Sequence, residues 1–119
     1  MSIDNALASL AVKDLARSVK WYAKVFGRPA DATPMAEVAE WWFERGGGLQ
    51  VYLLPERAGA GSCTLAVTHL DEEIEKLRGL GIDTGSQPSA KGIKTVMIKD
   101  PDGNSIAFAE ATGATPGAG

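Results

Sequence analysis

Leu10-Ala11-Val12-Lys13-Asp14-Leu15 and Leu65-Ala66-Val67-Thr68-His69-Leu70 are one phrase written twice, with Leu10 and Leu65 standing 55 residues apart. Around it Ser9 matches Thr64, Val19 matches Ile74 and Tyr22 matches Leu77. Both copies also make the same change of period. Ala8, Leu10 and Val12 alternate with Ser9 and Ala11, as Cys63, Leu65 and Val67 do with Thr64 and Ala66, which is the pattern of a strand with one face on a core. The stripe then becomes helical: Leu15, Val19, Tyr22 and Phe26 in one copy, Leu70, Ile74 and Leu77 in the other. Asp14 is placed to cap the first helix, and Asp71, Glu72 and Glu73 suit the positive end of the second. Gly27 and the Gly79/Gly81 pair stop the two helices.

Working outward, each helix is followed by strand patterns. In the first half these fall at residues 30–33, 40–43 and, after Gly46-Gly47-Gly48, 49–53. In the second they fall at 82–84, 94–99 and, after Asp100-Pro101-Asp102-Gly103-Asn104, 105–110. Pro-Asp-Gly is a turn because proline fixes φ and glycine accepts a positive one. Each half therefore reads β-α-β-β-β. One domain is expected over residues 1–112, with modules at about 5–54 and 62–110, a Gly/Ala-rich linker at 55–61 and a disordered tail at 113–119.

The bulk numbers agree. The chain has 119 residues, enough to bury roughly two-thirds of its unfolded surface without metal or disulfide. A net charge of -3 offers no footprint for nucleic acid. The lone Cys63 cannot form a disulfide within the chain, as befits a reducing cytoplasm. Residues 1–5 do not read as a signal peptide, and no apolar run approaches the ~18 residues that would span a membrane.

Three further patterns carry a family resemblance. Val12-Lys13-Asp14-Leu15-Ala16-Arg17-Ser18 is similar to a V-x-D-L-x-x-S helix entry, Trp21-Tyr22 with Val25-Phe26-Gly27 to an F-Y…L-G exit, and Asp100–Asn104 to a D-P-D-G-N turn before the last strand. In this order, on a repeat, they resemble the vicinal-oxygen-chelate superfamily of glyoxalase, bleomycin-resistance and dioxygenase proteins over about residues 7–110. The resemblance implies an α+β fold: two tandem βαβββ modules whose strands form a curved, cup-like mixed sheet with the helices outside. It also implies a homodimer and, in most members, a divalent metal in the cup.

The family's ligand positions transfer to Leu7, Ser62, Ala107 and, by a gapped match, Gln50. Leu7 and Ala107 have no donor atom, a serine hydroxyl is a poor ligand, and the chain has one histidine, so no metal or other cofactor is expected. Alternation instead gives a cup lined by Leu7, Ser9, Ala11, Ser62, Thr64, Ala66, Ser105, Ala107 and Ala109, small and mildly polar on the whole.

The candidate residues each have a plainer reading. Trp42 and Tyr52 are candidates for a ligand-stacking wall, against core or interface packing for the Trp41, Trp42, Phe43 and Tyr52 group. Gln50 is a candidate hydrogen-bonding residue inside the cup, against a solvated strand position. Glu40 shares the parity of Trp42 and is a candidate general base, with Tyr52 as a second catalytic candidate. His69 reads as a helix-start residue, Cys63 as a helix-facing packing residue, and Arg17, Lys20 and Lys24 as solvated charge. The expected function is binding of an unidentified small molecule through Ser9, Trp42, Gln50, Tyr52, Ser62, Thr64 and Ala107. The alternatives are a lyase, isomerase or dioxygenase-type enzyme using the same cavity, and a dimeric interaction module whose cavity is unused.

Overall fold

The computed structural model describes residues 2–85, 89–90 and 93–111. In chain order the elements are β1 (Leu7–Val12), α1 (Leu15–Phe26), β2 (Ala32–Met35), β3 (Val38–Trp42), β4 (Gly48–Leu53), a 3-10 turn (Pro55–Arg57), β5 (Ser62–Ala66), α2 (Leu70–Gly79), β6 (Ser89–Ala90), β7 (Ile93–Lys99) and β8 (Ser105–Ala111). They form two sheets with the same plan, β1-β4-β3-β2 and β5-β8-β7-β6. In each, the first strand runs parallel to the fourth after a helical crossover, and the remaining pairs are antiparallel. β1 and β5 lie side by side where the modules meet, but no ladder joins them, so the two sheets stay separate.

The repeat is thus a structural one, with three local departures from the sequence pattern. The strands expected at 30–33 and 40–43 pair as Ala32–Met35 and Val38–Trp42, because side chains close the end of that ladder. The Asp31 carboxylate accepts from Arg28 and from the Trp42 amide, and the Arg28 guanidinium also donates to the Trp42 carbonyl. No strand forms at 82–84: the Ile82 amide folds back onto the Leu77 carbonyl, and the Asp83 carboxylate takes the Gly85 amide in an Asx turn. The tail expected at 113–119 lies outside the described residues.

The helix-facing sides of the sheets build the core. Leu10, Val12, Trp41, Leu49, Val51, Val96, Ile98, Ile106 and Phe108 come from the strands, and Tyr22, Val25, Leu70, Ile74 and Leu77 from the helices. On α1 the most deeply buried line is Ser18, Tyr22 and Val25, while Leu15, Val19 and Phe26 pack at its margin. Asp14 caps α1 by accepting the Arg17 amide at 3.1 Å, and Gly27 ends it at φ 74°. His69 makes no side-chain cap on α2; Glu110 on β8 accepts the Leu70 amide at 2.6 Å instead.

The modules are fastened by the turn Asp100–Asn104. Asp100 and Asn104 are buried polar residues. Asp100 accepts the amides of Asp102 and Asn104 on one oxygen; on the other it accepts the Asn104 side-chain amide at 2.8 Å and the Tyr22 hydroxyl at 2.7 Å. Asn104 in turn donates to the Ala11 carbonyl on β1 and accepts the Gly61 amide at the end of the linker. Asp102 accepts the Lys13 amide. A Cβ on Gly61 would stand 2.9 Å from Leu10 Cδ2 and 3.2 Å from Asn104 Oδ1, so a side chain there would push against both. A turn of the second module thereby holds β1, α1 and the linker.

Burial, then the charge and hydrogen bond of Asp100, push the Tyr22 phenol above its usual range. The folded protein therefore keeps Tyr22 protonated where the unfolded chain ionises. Its contribution to stability is complete below the unfolded tyrosine pKa of about 10 and is lost as pH rises above it, by about 1.4 kcal/mol per pH unit. Tyr22→Phe is expected to cost about 1.5–3 kcal/mol at neutral pH, since it strips one bond from a buried carboxylate. It should also flatten the alkaline limb of the stability curve. Both effects are read from urea unfolding across pH. Ser18→Ala should act oppositely: the Ser18 hydroxyl is buried without a partner among the described residues, so its removal should leave the urea midpoint unchanged or higher.

Candidate functional site

The sheet faces turned away from the helices carry the polar residues. On the first sheet, strand register sets Ser9, Gln50 and Glu40 in one row, Leu7, Gly48 and Trp42 in the next, and Ala11, Tyr52 and Val38 on the other side. The middle row is a chain of hydrogen bonds. Ser9 Oγ donates to Gln50 Oε1 at 2.9 Å, and Gln50 Nε2 donates to the Glu40 carboxylate at 3.3 Å. The carboxylate fixes the amide's orientation, because it can only accept. Gln50 must then offer its carbonyl to Ser9, whose oxygen lone pairs remain open to a donor.

On the second sheet the rows are Ser62, Ser105 and Lys99, then Thr64, Ala107 and Met97, then Ala66, Ala109 and Thr95. Lys99 Nζ donates to Ser105 Oγ at 2.6 Å. Ser62, Thr64, Ala66 and Met97 are exposed on this face.

The two registers also show which positions correspond. Gln50 opposes Ser9 as Ala107 opposes Thr64, and Leu7 opposes Gly48 as Ser62 opposes Ser105. The positions at which a metal would be held thus present two hydrocarbon side chains, one amide and one hydroxyl. No three His, Cys, Asp or Glu side chains gather around a common point among the described residues. This donor set does not fit a divalent ion, which in a catalytic site takes about three protein ligands.

A cavity of about 350 Å³ opens beside the polar row, lined by Ser9, Ala11, Tyr52, Arg57, Ala60 and Gly61. Two candidates, Ser9 and Tyr52, reach it; Gln50 and Glu40 stand behind Ser9. Trp42 and Tyr52 do not form one wall. They pair with Gly48 and Val38, at opposite ends of the β3–β4 ladder and about 13 Å apart along the strand. Trp42 lies against β4, where a Cβ on Gly48 would come within 3.1 Å of its ring, and is partly exposed. Trp41 is fully buried with its indole N–H on the Arg28 carbonyl, and Phe43 packs on Phe26, so both belong to the core.

Ser62, Thr64 and Ala107 lie on the second sheet, outside this cavity. A larger hollow of about 760 Å³ runs between β1 and β5; the candidate Thr64 lines it, together with Leu7, apolar Val25, Phe26, Leu65 and Phe108, and the charged Arg28, Glu44, Arg45, Glu73 and Lys76.

Arg57 is the residue that sequence reasoning passed over. It sits in the 3-10 turn begun by Pro55, directly after the strand that carries Tyr52. The signal was a charged pair, Glu56-Arg57, in a stretch otherwise read as a spacer. Gly61 is held in the cavity wall by the Asn104 side chain and by the Ser105 amide, which donates to the Gly61 carbonyl, and the Ala60 amide donates to the Arg57 carbonyl. Of the other residues considered, His69, Arg17, Lys20 and Lys24 are exposed, and Cys63 is half-buried on the helix side of β5.

The family model described as Glyoxalase/Bleomycin resistance protein/Dioxygenase superfamily matches residues 3–108. The chain belongs to this superfamily. Among solved structures it is similar to a glyoxalase/bleomycin resistance protein from Catenulispora acidiphila, at 33% identity and TM-score 0.82 over 90% of this chain and 97% of that one. It is also similar in fold to TnmS3, an antibiotic binding protein from Streptomyces sp. CB03234, at 20% identity and TM-score 0.81, covering 94% and 99% of the two chains. A lactoylglutathione lyase from Agrobacterium tumefaciens gives 21% identity and TM-score 0.73, covering 90% and 92%. No curated protein matches. No helix is long and apolar enough to cross a membrane among the described residues of this superfamily member.

Burial, reinforced by the charge of Asp100, pushes the Cys63 thiol up, away from the reactive thiolate. In the folded protein Cys63 should react with a disulfide reagent such as DTNB at least about tenfold more slowly than free cysteine at pH 8, and at the free rate in denaturant.

Proposed function

We propose that this superfamily member is a small-molecule-binding protein that works without a divalent ion. The observation that carries the reading is the inner face itself: Leu7, Gln50, Ser62 and Ala107 stand where donors would be needed, while beside them a hydrogen-bonded row ends at an open cavity. A volume of about 350 Å³ lies within the range of roughly 300–1,000 Å³ usual for small-ligand sites. A preorganised Ser9 and a half-buried Tyr52 provide orientation and apolar contact, which suffices for binding.

Proteins of similar fold include both an antibiotic binding protein and a lyase, so the fold accommodates either role. The separation of Glu40 from the cavity favours the binding reading here. A general base has to come within hydrogen-bond reach of the proton it takes. Glu40 instead receives the Gln50 amide, and Tyr52 lines the cavity without it. The homodimer implied by the family is supported by Met97 and Trp42, large apolar side chains exposed on the inner faces at 53% and 38%.

Elemental analysis of dialysed protein should find far less than one equivalent of any transition metal or zinc, and EDTA should leave the melting temperature unchanged. In a thermal-shift screen of small organic molecules, the ligands that raise the melting temperature should do so equally with and without EDTA. Ser9→Ala and Tyr52→Ala should abolish those shifts while changing the unliganded melting temperature little. A stoichiometric metal whose removal abolishes ligand binding would overturn the reading.

A further inference from the structure

The geometry points to an organic anion as the ligand of the Ser9–Tyr52 cavity, its ionised acid group taken by Arg57 and a hydrogen-bond donor on the same molecule taken by Ser9. This inference rests on the reading of that cavity as a binding site and adds the class of molecule.

The charge balance of the lining is the first ground. Arg57 is the one charged residue among the six that line the cavity, and none of the six is acidic. The Arg57 guanidinium enters no ion pair or side-chain hydrogen bond among the described residues. Arg28, by contrast, is spent on Asp31 and the Trp42 carbonyl. A guanidinium that is always ionised and presents a planar fork of donors is matched by a carboxylate or a similar oxyanion.

The second ground is the direction of the polar row. The Ser9 proton is committed to Gln50, and Gln50 is committed to Glu40. Ser9 therefore faces the cavity as an acceptor, backed by a carboxylate two bonds away, and favours a hydroxyl or N–H on the ligand. One side of the cavity thus prefers negative charge and the other a donor.

Between them lie Tyr52, Ala11, Ala60 and Gly61, which offer an aromatic ring and little bulk. This suits a flat, compact body. A hydroxylated aromatic acid has all three features, and a neutral molecule of the same shape lacks the one that Arg57 needs.

The test uses the full chain, labelled with 15N, and two probes of the same shape: 4-hydroxybenzoate and 4-hydroxybenzamide. Both should shift the backbone amides of Ser9, Tyr52, Arg57 and Gly61. The acid should bind roughly tenfold or more tightly than the amide, the span expected for a charge-assisted pair. Arg57→Gln should erase the preference by weakening the acid alone, and Arg57→Lys should retain part of it, as a charge without the fork. Added salt should weaken the acid and spare the amide. Equal affinity of the two probes at these residues would overturn the anion inference while leaving the cavity's binding role intact. Persistence of the acid's preference in Arg57→Gln would overturn it too. If neither probe moved these residues, both the inference and the underlying reading would fail.

Discussion

The Asp100 carboxylate is the point on which this architecture depends. A buried charge is tolerated only when its lone pairs are filled, and Asp100 fills them with two backbone amides, the Asn104 amide and the Tyr22 hydroxyl. The constraint reaches outward. Tyr22 ties the turn to α1, Asn104 ties it to β1 and the linker, and Asp102 ties it to the loop before α1. Two sheets that share no ladder are thus set side by side by one polar cluster together with the apolar core around it. Removing any member leaves others unpaired away from water, so the cluster resists partial loss.

The same cluster shapes the candidate site. The cavity wall opposite Ser9 and Tyr52 is the end of the linker, and Asn104 determines where Gly61 lies. The fold and the binding surface therefore share a cause. What holds the modules together also closes one side of the space between the polar row and Arg57. The helices fill the opposite faces of the sheets, which leaves residues such as Ser9, Ser62, Thr64 and Met97 exposed on the inner faces.

Much of this was readable from the chain. Strand alternation placed Leu10, Val12, Leu65, Ile106 and Phe108 toward the helices and left Ser9, Ser62, Thr64 and Ala107 on the other side, because period two admits only two answers once the core face is known. The repeat set the order of elements along each module. Three things escaped. The hydrogen bonds from Ser9 through Gln50 to Glu40 need the β1–β4–β3 register, which no local pattern encodes. The Asp100–Asn104 stretch was legible as a turn but not as a clamp, since D-P-D-G-N states its own backbone bonds but not what its side chains meet. Arg57 sat in a segment whose composition suggested only a spacer. In each case the missing information was a contact between distant parts of the sequence.

The central claim is that the two modules are one cooperative unit fastened at Asp100. Trp21, Trp41 and Trp42 all lie in the first module and Cys63 lies in the second, so each half carries its own reporter. Urea unfolding followed at once by tryptophan fluorescence and by pulsed labelling of Cys63 measures both halves in one sample. A single coincident transition is predicted, together with its separation into two when Asn104→Ala loosens the clamp. Two resolved transitions in the unaltered protein, or coincidence that survives the substitution at full stability, would contradict the account.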